Sequence, residues 1–181
     1  MKSLLIMTFS NRFQILEDTL VDESEVRLVS DSMVHDQLPE LCGCSSNGRR
    51  KPFYFPGTGL DDITAAYDDV TSNSENSTRF VIHAGTNDIH SSDSVELPDK
   101  YRLMIKQLIS KTNGSNIVVS GILPRVGASS LFYDKAFRTN NRLKTLCAEE
   151  SVLFINLWDH FYFDTHPSKS RRGIPLQKAA L

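Results

Sequence analysis

Five short apolar runs recur along the chain, most of them stopped by glycine, proline or small polar residues. They are Val26-Arg27-Leu28-Val29, Pro52-Phe53-Tyr54-Phe55, Phe80 to Gly85, Ile117 to Ile122, and Val152 to Leu157. Between them lie stretches with apolar residues at three- and four-residue spacing. One carries Leu60, Ile63, Ala66, Tyr67 and Val70, and the next Leu97, Tyr101, Met104, Ile105 and Leu108. The last runs from Ser129 to Glu149, with Leu131, Phe132, Ala136, Leu143, Leu146 and Cys147 as its expected inner face. Short apolar strands alternating with amphipathic helices predict an α/β fold. The expected architecture is three-layer α/β/α around a central five-stranded parallel sheet, covered on both faces. Right-handed crossovers make the flavodoxin-like order 2-1-3-4-5 the simplest topology, with the run from Phe80 in the middle.

The turns after the strands carry the chemistry. Ser30-Asp31-Ser32 closes the first, Pro56-Gly57-Thr58-Gly59 the second, and Gly85-Thr86-Asn87-Asp88 the third. In open α/β sheets this carboxyl edge is where ligands sit. Ser32 would stand at a helix start, among backbone N–H groups that lack helical partners. Thr58 is placed as N-cap of the helix from Leu60, and Asp61 and Asp62 suit its dipole. The loop after strand five brings His166 to the same side. A hydroxyl, an imidazole, an acid and N–H donors together are the set that acyl transfer by serine requires. No Walker or Rossmann glycine-rich loop follows any strand, which argues against a nucleotide-binding sheet. His83 lies mid-strand and reads as a hydrogen-bonded core residue. His35 and His90 can only line the edge, and Asp159-His160 reads as a strand-end turn that could serve as a fallback acid–base pair.

At 181 residues the chain suits one domain over residues 26–181, after a polar, acidic leader over residues 1–25. A formal net charge of -2 gives no general pull towards nucleic acid or anionic membrane. Arg49-Arg50-Lys51 reads as an exposed basic loop. With Lys169, Arg171 and Arg172 it supports a rival reading as a nucleic-acid-binding domain, but no clustered aromatics stand beside these cations. Cys42, Cys44 and Cys147 lack zinc-ligand spacing and read as reduced thiols. The apolar run Leu4-Leu5-Ile6-Met7 is too short to span a membrane and weak as a signal peptide, so an intracellular, cytoplasmic location is expected.

Ser30-Asp31-Ser32, Pro56-Gly57, Gly85-Thr86-Asn87-Asp88 and His166-Pro167 resemble the four blocks of the SGNH (GDSL-type) hydrolases. The resemblance spans nearly the whole chain, and Gly-Thr-Asn-Asp at the end of a central strand is its most specific part. It implies Ser32 as nucleophile and His166 as general base, with Asp164 to orient the imidazole. It also implies an oxyanion hole from the N–H groups of Ser32 and Gly57 and the side-chain amide of Asn87. No metal or organic cofactor is implied, and the substrate would be a small O-acyl ester of a sugar or lipid. A narrower set of strings is similar to the esterase domain in the first open reading frame of LINE-type retrotransposons. These are Asn11-Arg12-Phe13, Val26 to Met33, Phe55 to Asp62, and Asn141-Arg142-Leu143-Lys144. Two departures stand out. Ser30 replaces the family's usual glycine, and Asp164-Thr165-His166 is one residue shorter than the family's Asp-x-x-His. The shortened end sets up the alternative, a catalytically inactive relic of a retroelement that acts as a binding module.

Overall fold

The computed structural model describes residues 24–31, 49–91, 96–112, 116–125 and 127–158. Ser32, His35, Cys42, Cys44, Asp159, His160, Asp164, His166 and the basic residues after 168 lie outside the described residues. Five parallel strands form one sheet: β1 (Val26–Ser30), β2 (Arg50–Tyr54), β3 (Arg79–His83), β4 (Ile117–Ser120) and β5 (Leu153–Ile155). Their spatial order is β2-β1-β3-β4-β5, as the crossover rule predicts, with β3 in the centre. The helices are α1 (Leu60–Ala65), α2 (Tyr67–Thr71), α3 (Asp88–Ser91), α4 (Glu96–Lys111) and α5 (Ser130–Glu149).

The buried positions of α1, α2, α4 and α5 join one core with Val29, Phe80, Ile82, Ile117 and Val119. In-register partners point to the same face, so these strand residues define one side of the sheet. Handedness explains why the described helices share it. The steps from β2 to β3, β3 to β4 and β4 to β5 all run in one direction across the sheet, and right-handed crossovers then place their helices on one face. Only the step from β1 to β2 runs the other way, and most of that connection lies outside the described residues.

Several local expectations are corrected. The helix expected over Leu60 to Val70 breaks at Ala66, whose backbone sits at φ -85° and ψ 5°. Its N–H is shared between the carbonyls of Asp62 (3.1 Å) and Ile63 (3.2 Å), a tightened turn that splits α1 from α2 while Tyr67 and Val70 stay buried. Leu131 is 64% exposed rather than inside. The stripe of α5 runs through Phe132, Ala136, Thr139, Asn140, Leu143, Leu146 and Cys147, and Leu131 stands one residue, about 100°, off it. Arg50 and Lys51 belong to β2 rather than to a loop, because they pair in register with Val26 and Arg27. The stretch after Asn87 is a single helical turn, α3, where only a turn and a loop were expected.

Candidate active site

The carboxyl end of β1 is held on both sides. Phe55 N–H donates to the Ser30 carbonyl (2.9 Å), and Asp31 N–H donates to the His83 carbonyl (3.2 Å). Both Ser30 and Asp31 are fully buried. Asp31 Oδ2 accepts the backbone N–H of Thr86 at 3.2 Å, which ties the residue before Ser32 to the turn after β3. Ser30, His83 and Ser120 then form one row across three strands, on the face opposite Val29 and Ile82. His83 Nδ1 lies 3.2 Å from Ser120 Oγ. The Ser120 hydroxyl also lies 3.3 Å from the Gly121 carbonyl, which ties this imidazole to the end of β4. Burial pulls the His83 pKa below its ordinary value, against the opposing charge of Asp31. His83 is thus a buried, hydrogen-bonded histidine, as expected from its place in the strand.

The second and third turns meet at this edge. Gly57 is exposed and adopts φ +71°, a conformation that favours glycine, in the Pro56-Gly57 turn. Asn87 is half-buried, and its Nδ2 donates to the Thr58 carbonyl at 2.9 Å. A side-chain amide has two hydrogens, so one remains beyond that bond. Thr58 does not cap the next helix, as was expected. Its hydroxyl donates back to the Phe55 carbonyl (3.0 Å), and Gly59 is the N-cap. The Leu60 N–H at the helix start is taken by Asp88 Oδ2 at 3.0 Å, from 28 residues along the chain. A Cβ on Gly59 would lie 2.8 Å from Asp88 Oδ1, so only glycine allows this approach.

Asp88 is 4% exposed, and Lys100 Nζ stands 3.6 Å from its Oδ1 while bonding Asp61 Oδ2 at 2.7 Å. Burial raises the Asp88 pKa, opposed by the Leu60 N–H and by Lys100. Behind the turn, Tyr101 donates its hydroxyl to the Ala84 carbonyl (2.5 Å), which accounts for a buried tyrosine in α4. The structure thus brings Asp31, the loop containing Gly57, and Asn87 to one edge. Sequence reasoning missed Asp88 and Gly59, although both lie inside the motifs it singled out. Exposed His90 stacks at a tilt on Phe132, with ring centroids 5.7 Å apart. Among the described residues, no group of His, Cys, Asp and Glu side chains could hold a metal ion, and no helix is long and apolar enough to cross a membrane.

Solved structures share this fold. A member of the lipolytic G-D-S-L protein family from Veillonella parvula is 16% identical with a TM-score of 0.69, matched over 81% of this chain and 84% of its own. A GDSL-like lipase from Bacteroides thetaiotaomicron is 15% identical with a TM-score of 0.62, over 84% and 80%. The acetyl xylan esterase AlAXEase is 16% identical with a TM-score of 0.62, over 84% and 88%. No protein-family model matches the sequence, and no curated protein does. At these identities the likeness establishes the fold, and the chemistry has to be argued from the residues.

Proposed function

We propose that this chain is a carboxylic-ester hydrolase that works through an acyl-serine intermediate on Ser32. The observation that carries the reading is the bond from Asn87 Nδ2 to the Thr58 carbonyl (2.9 Å), one residue from Gly57. It draws together the turns bearing two candidate oxyanion donors, at the edge where Asp31 leads into Ser32. The structural neighbours named as G-D-S-L lipolytic proteins, lipases and an acetyl xylan esterase support an ester substrate.

In this scheme Ser32 Oγ attacks the acyl carbon while His166 takes its proton. The carbonyl oxygen, now negative, is met by the N–H groups of Ser32 and Gly57 and by the free amide hydrogen of Asn87. His166 returns the proton to the departing alcohol, and water then attacks the acyl-serine with the same base. On the family resemblance the substrate is a small O-acyl ester of a sugar or lipid. Asp164 is the weak member. Removing one residue between acid and base displaces a carboxylate by about 3.3–3.6 Å along an extended chain. Asp164→Ala should then cost far less than the roughly 10⁴-fold loss that follows when a well-placed triad acid is altered. The finer likeness, to the esterase domain of LINE-type elements, rests on the sequence strings alone.

The test is hydrolysis of p-nitrophenyl acetate together with labelling by a serine-reactive phosphonate. Ser32→Ala should abolish both and leave the melting temperature within the scatter of the parent. Equal turnover by the alanine variant would overturn the assignment of Ser32. A parent chain inert to both reagents would favour the relic that acts as a binding module.

A further inference from the structure

We infer that Asp88 is a positioning residue for ester turnover, locking the loop of residues 55–60 to the turn of residues 86–88 so that Gly57 N–H and the Asn87 amide are held as one pair. The inference rests on the esterase reading above. Its basis is a clamp of two bonds with opposite polarity from adjacent residues. Asn87 donates to the Thr58 carbonyl at 2.9 Å, and Asp88 accepts from the Leu60 N–H at 3.0 Å. The loop is therefore gripped two residues apart, at an acceptor and at a donor.

Three further observations point beyond helix capping. Gly57 is exposed, and a Cβ on it would meet nothing within 4 Å among the described residues, so their packing around its Cα does not fix its direction. Its orientation is set from both sides, by Phe55 bonded to the Ser30 carbonyl before it and by Thr58 and Leu60 in the clamp after it. A local cap for α1 stood available in Thr58, yet that hydroxyl turns back to Phe55. A buried carboxylate from a distant turn is a costly way to cap a helix of six residues, and burial does raise its pKa. The contact is also tight. Gly59 approaches so closely that an added methyl would lie 2.8 Å from Oδ1 and 3.3 Å from Cγ.

That tight contact provides a test from both sides. Asp88→Ala removes the acceptor. Gly59→Ala leaves the acceptor and wedges the two segments apart, at a backbone φ of -96° that any residue adopts. Each should lower kcat about 10²-fold, the cost of misplacing reacting groups by about 1 Å, with KM for p-nitrophenyl acetate unchanged within about twofold. Because both act through one contact, Gly59→Ala should cost little more in the Asp88→Ala background. Asp88→Asn keeps an oxygen for Leu60 N–H and should recover most of the lost kcat. Amide exchange at Leu60 reads the cap without reference to activity, and should quicken in Asp88→Ala. Should Leu60 exchange quicken while kcat per folded molecule holds, the cap is only structural and the inference is overturned. Additive losses in the double variant would overturn it as well. A parent chain that neither turns over the ester nor takes the phosphonate overturns the esterase reading first, and the positioning role falls with it.

Discussion

Strand β1 ends in two different ways, only three residues apart. Near its start, Arg27 is buried and committed to the scaffold. Its Nη1 donates to the carbonyls of Val70 (2.6 Å) and Ser72 (2.8 Å), and its Nε pairs with Glu25, which also binds Lys51. The guanidinium lies between the rings of Phe53 and Phe80, 5.8 and 5.9 Å from their centroids. Only Nη2 lacks a partner. At the far end, Ser30 Oγ, His83 Nε2 and Thr86 Oγ1 are all buried and have no hydrogen-bond partner among the described residues. The amino edge thus uses the Arg27 guanidinium to close the fold, with Ser24 Oγ and Nη2 left over, whereas the carboxyl edge leaves two hydroxyls and an imidazole nitrogen uncommitted. Buried unsatisfied groups are destabilising, and among the described residues three of the six such side-chain atoms lie at the carboxyl edge, beside the turns that carry the candidate site.

The largest expected effect tests the amino edge. Arg27→Ala strands the carbonyls of Val70 and Ser72 and breaks a buried pair, which typically costs about 3–5 kcal/mol. Denaturant midpoints should move accordingly, whereas ester turnover per folded molecule should hold. A loss of kcat larger than the loss of folded protein would erase the contrast between the edges. Asn87→Ala is the mirror experiment. It should lower kcat by about 10²–10³, a rise in barrier of roughly 2.7–4 kcal/mol, with little change in KM. Loss of the Thr58 bond should lower stability by only about 0.5–1.5 kcal/mol. The reverse pattern, reduced stability with intact kcat, would make Asn87 a turn residue.

How far these edges were legible in the sequence depends on the range of the interactions involved. Buried parallel strands require continuous apolar runs, so the sheet and its order followed from the chain alone. Gly85 to Asp88 was readable because it abruptly ends such a run. The Asp88–Leu60 bond was not, since a cap supplied from 28 residues away leaves no local pattern, and Thr58 offered the ordinary local one. Asn140 is a similar case. Its side chain sits within the α5 stripe like an apolar residue, yet it accepts from Ile122 N–H (2.8 Å) and donates to the Ile122 carbonyl (2.9 Å). It thereby supplies the bonds that a neighbouring strand would give. Asn140→Leu preserves volume and orphans both groups, and should destabilise by about 1–3 kcal/mol. Thermal unfolding would check this, and an unchanged midpoint would mean that water replaces the amide.

The smallest effect concerns His83 and appears only as a slope. Its pKa is lowered in the folded state by burial, so the unfolded chain takes up the proton first as the pH falls below about 6.5. The unfolded state then binds more protons, and stability declines with acid by at most about 1.4 kcal/mol per pH unit for one group. Above about pH 6.5 the contribution is fully present, and it is lost as the pH falls towards the folded pKa. Asp31 opposes the shift, and Ser120 faces the other ring nitrogen. Asp88 has the opposite sign, because its raised pKa makes the folded state the better proton acceptor above the ordinary carboxylate value of 3.8. The difference between the parent and His83→Gln removes that background. Glutamine can still reach Ser120 and does not titrate, so the variant should lose about one proton of slope below pH 6.5. An unchanged slope, or one of reversed sign, would mean that Asp31 keeps His83 protonated in the folded chain. The carboxyl edge would then hold a committed ion pair like the one at Arg27, and the contrast between the two ends of β1 would narrow.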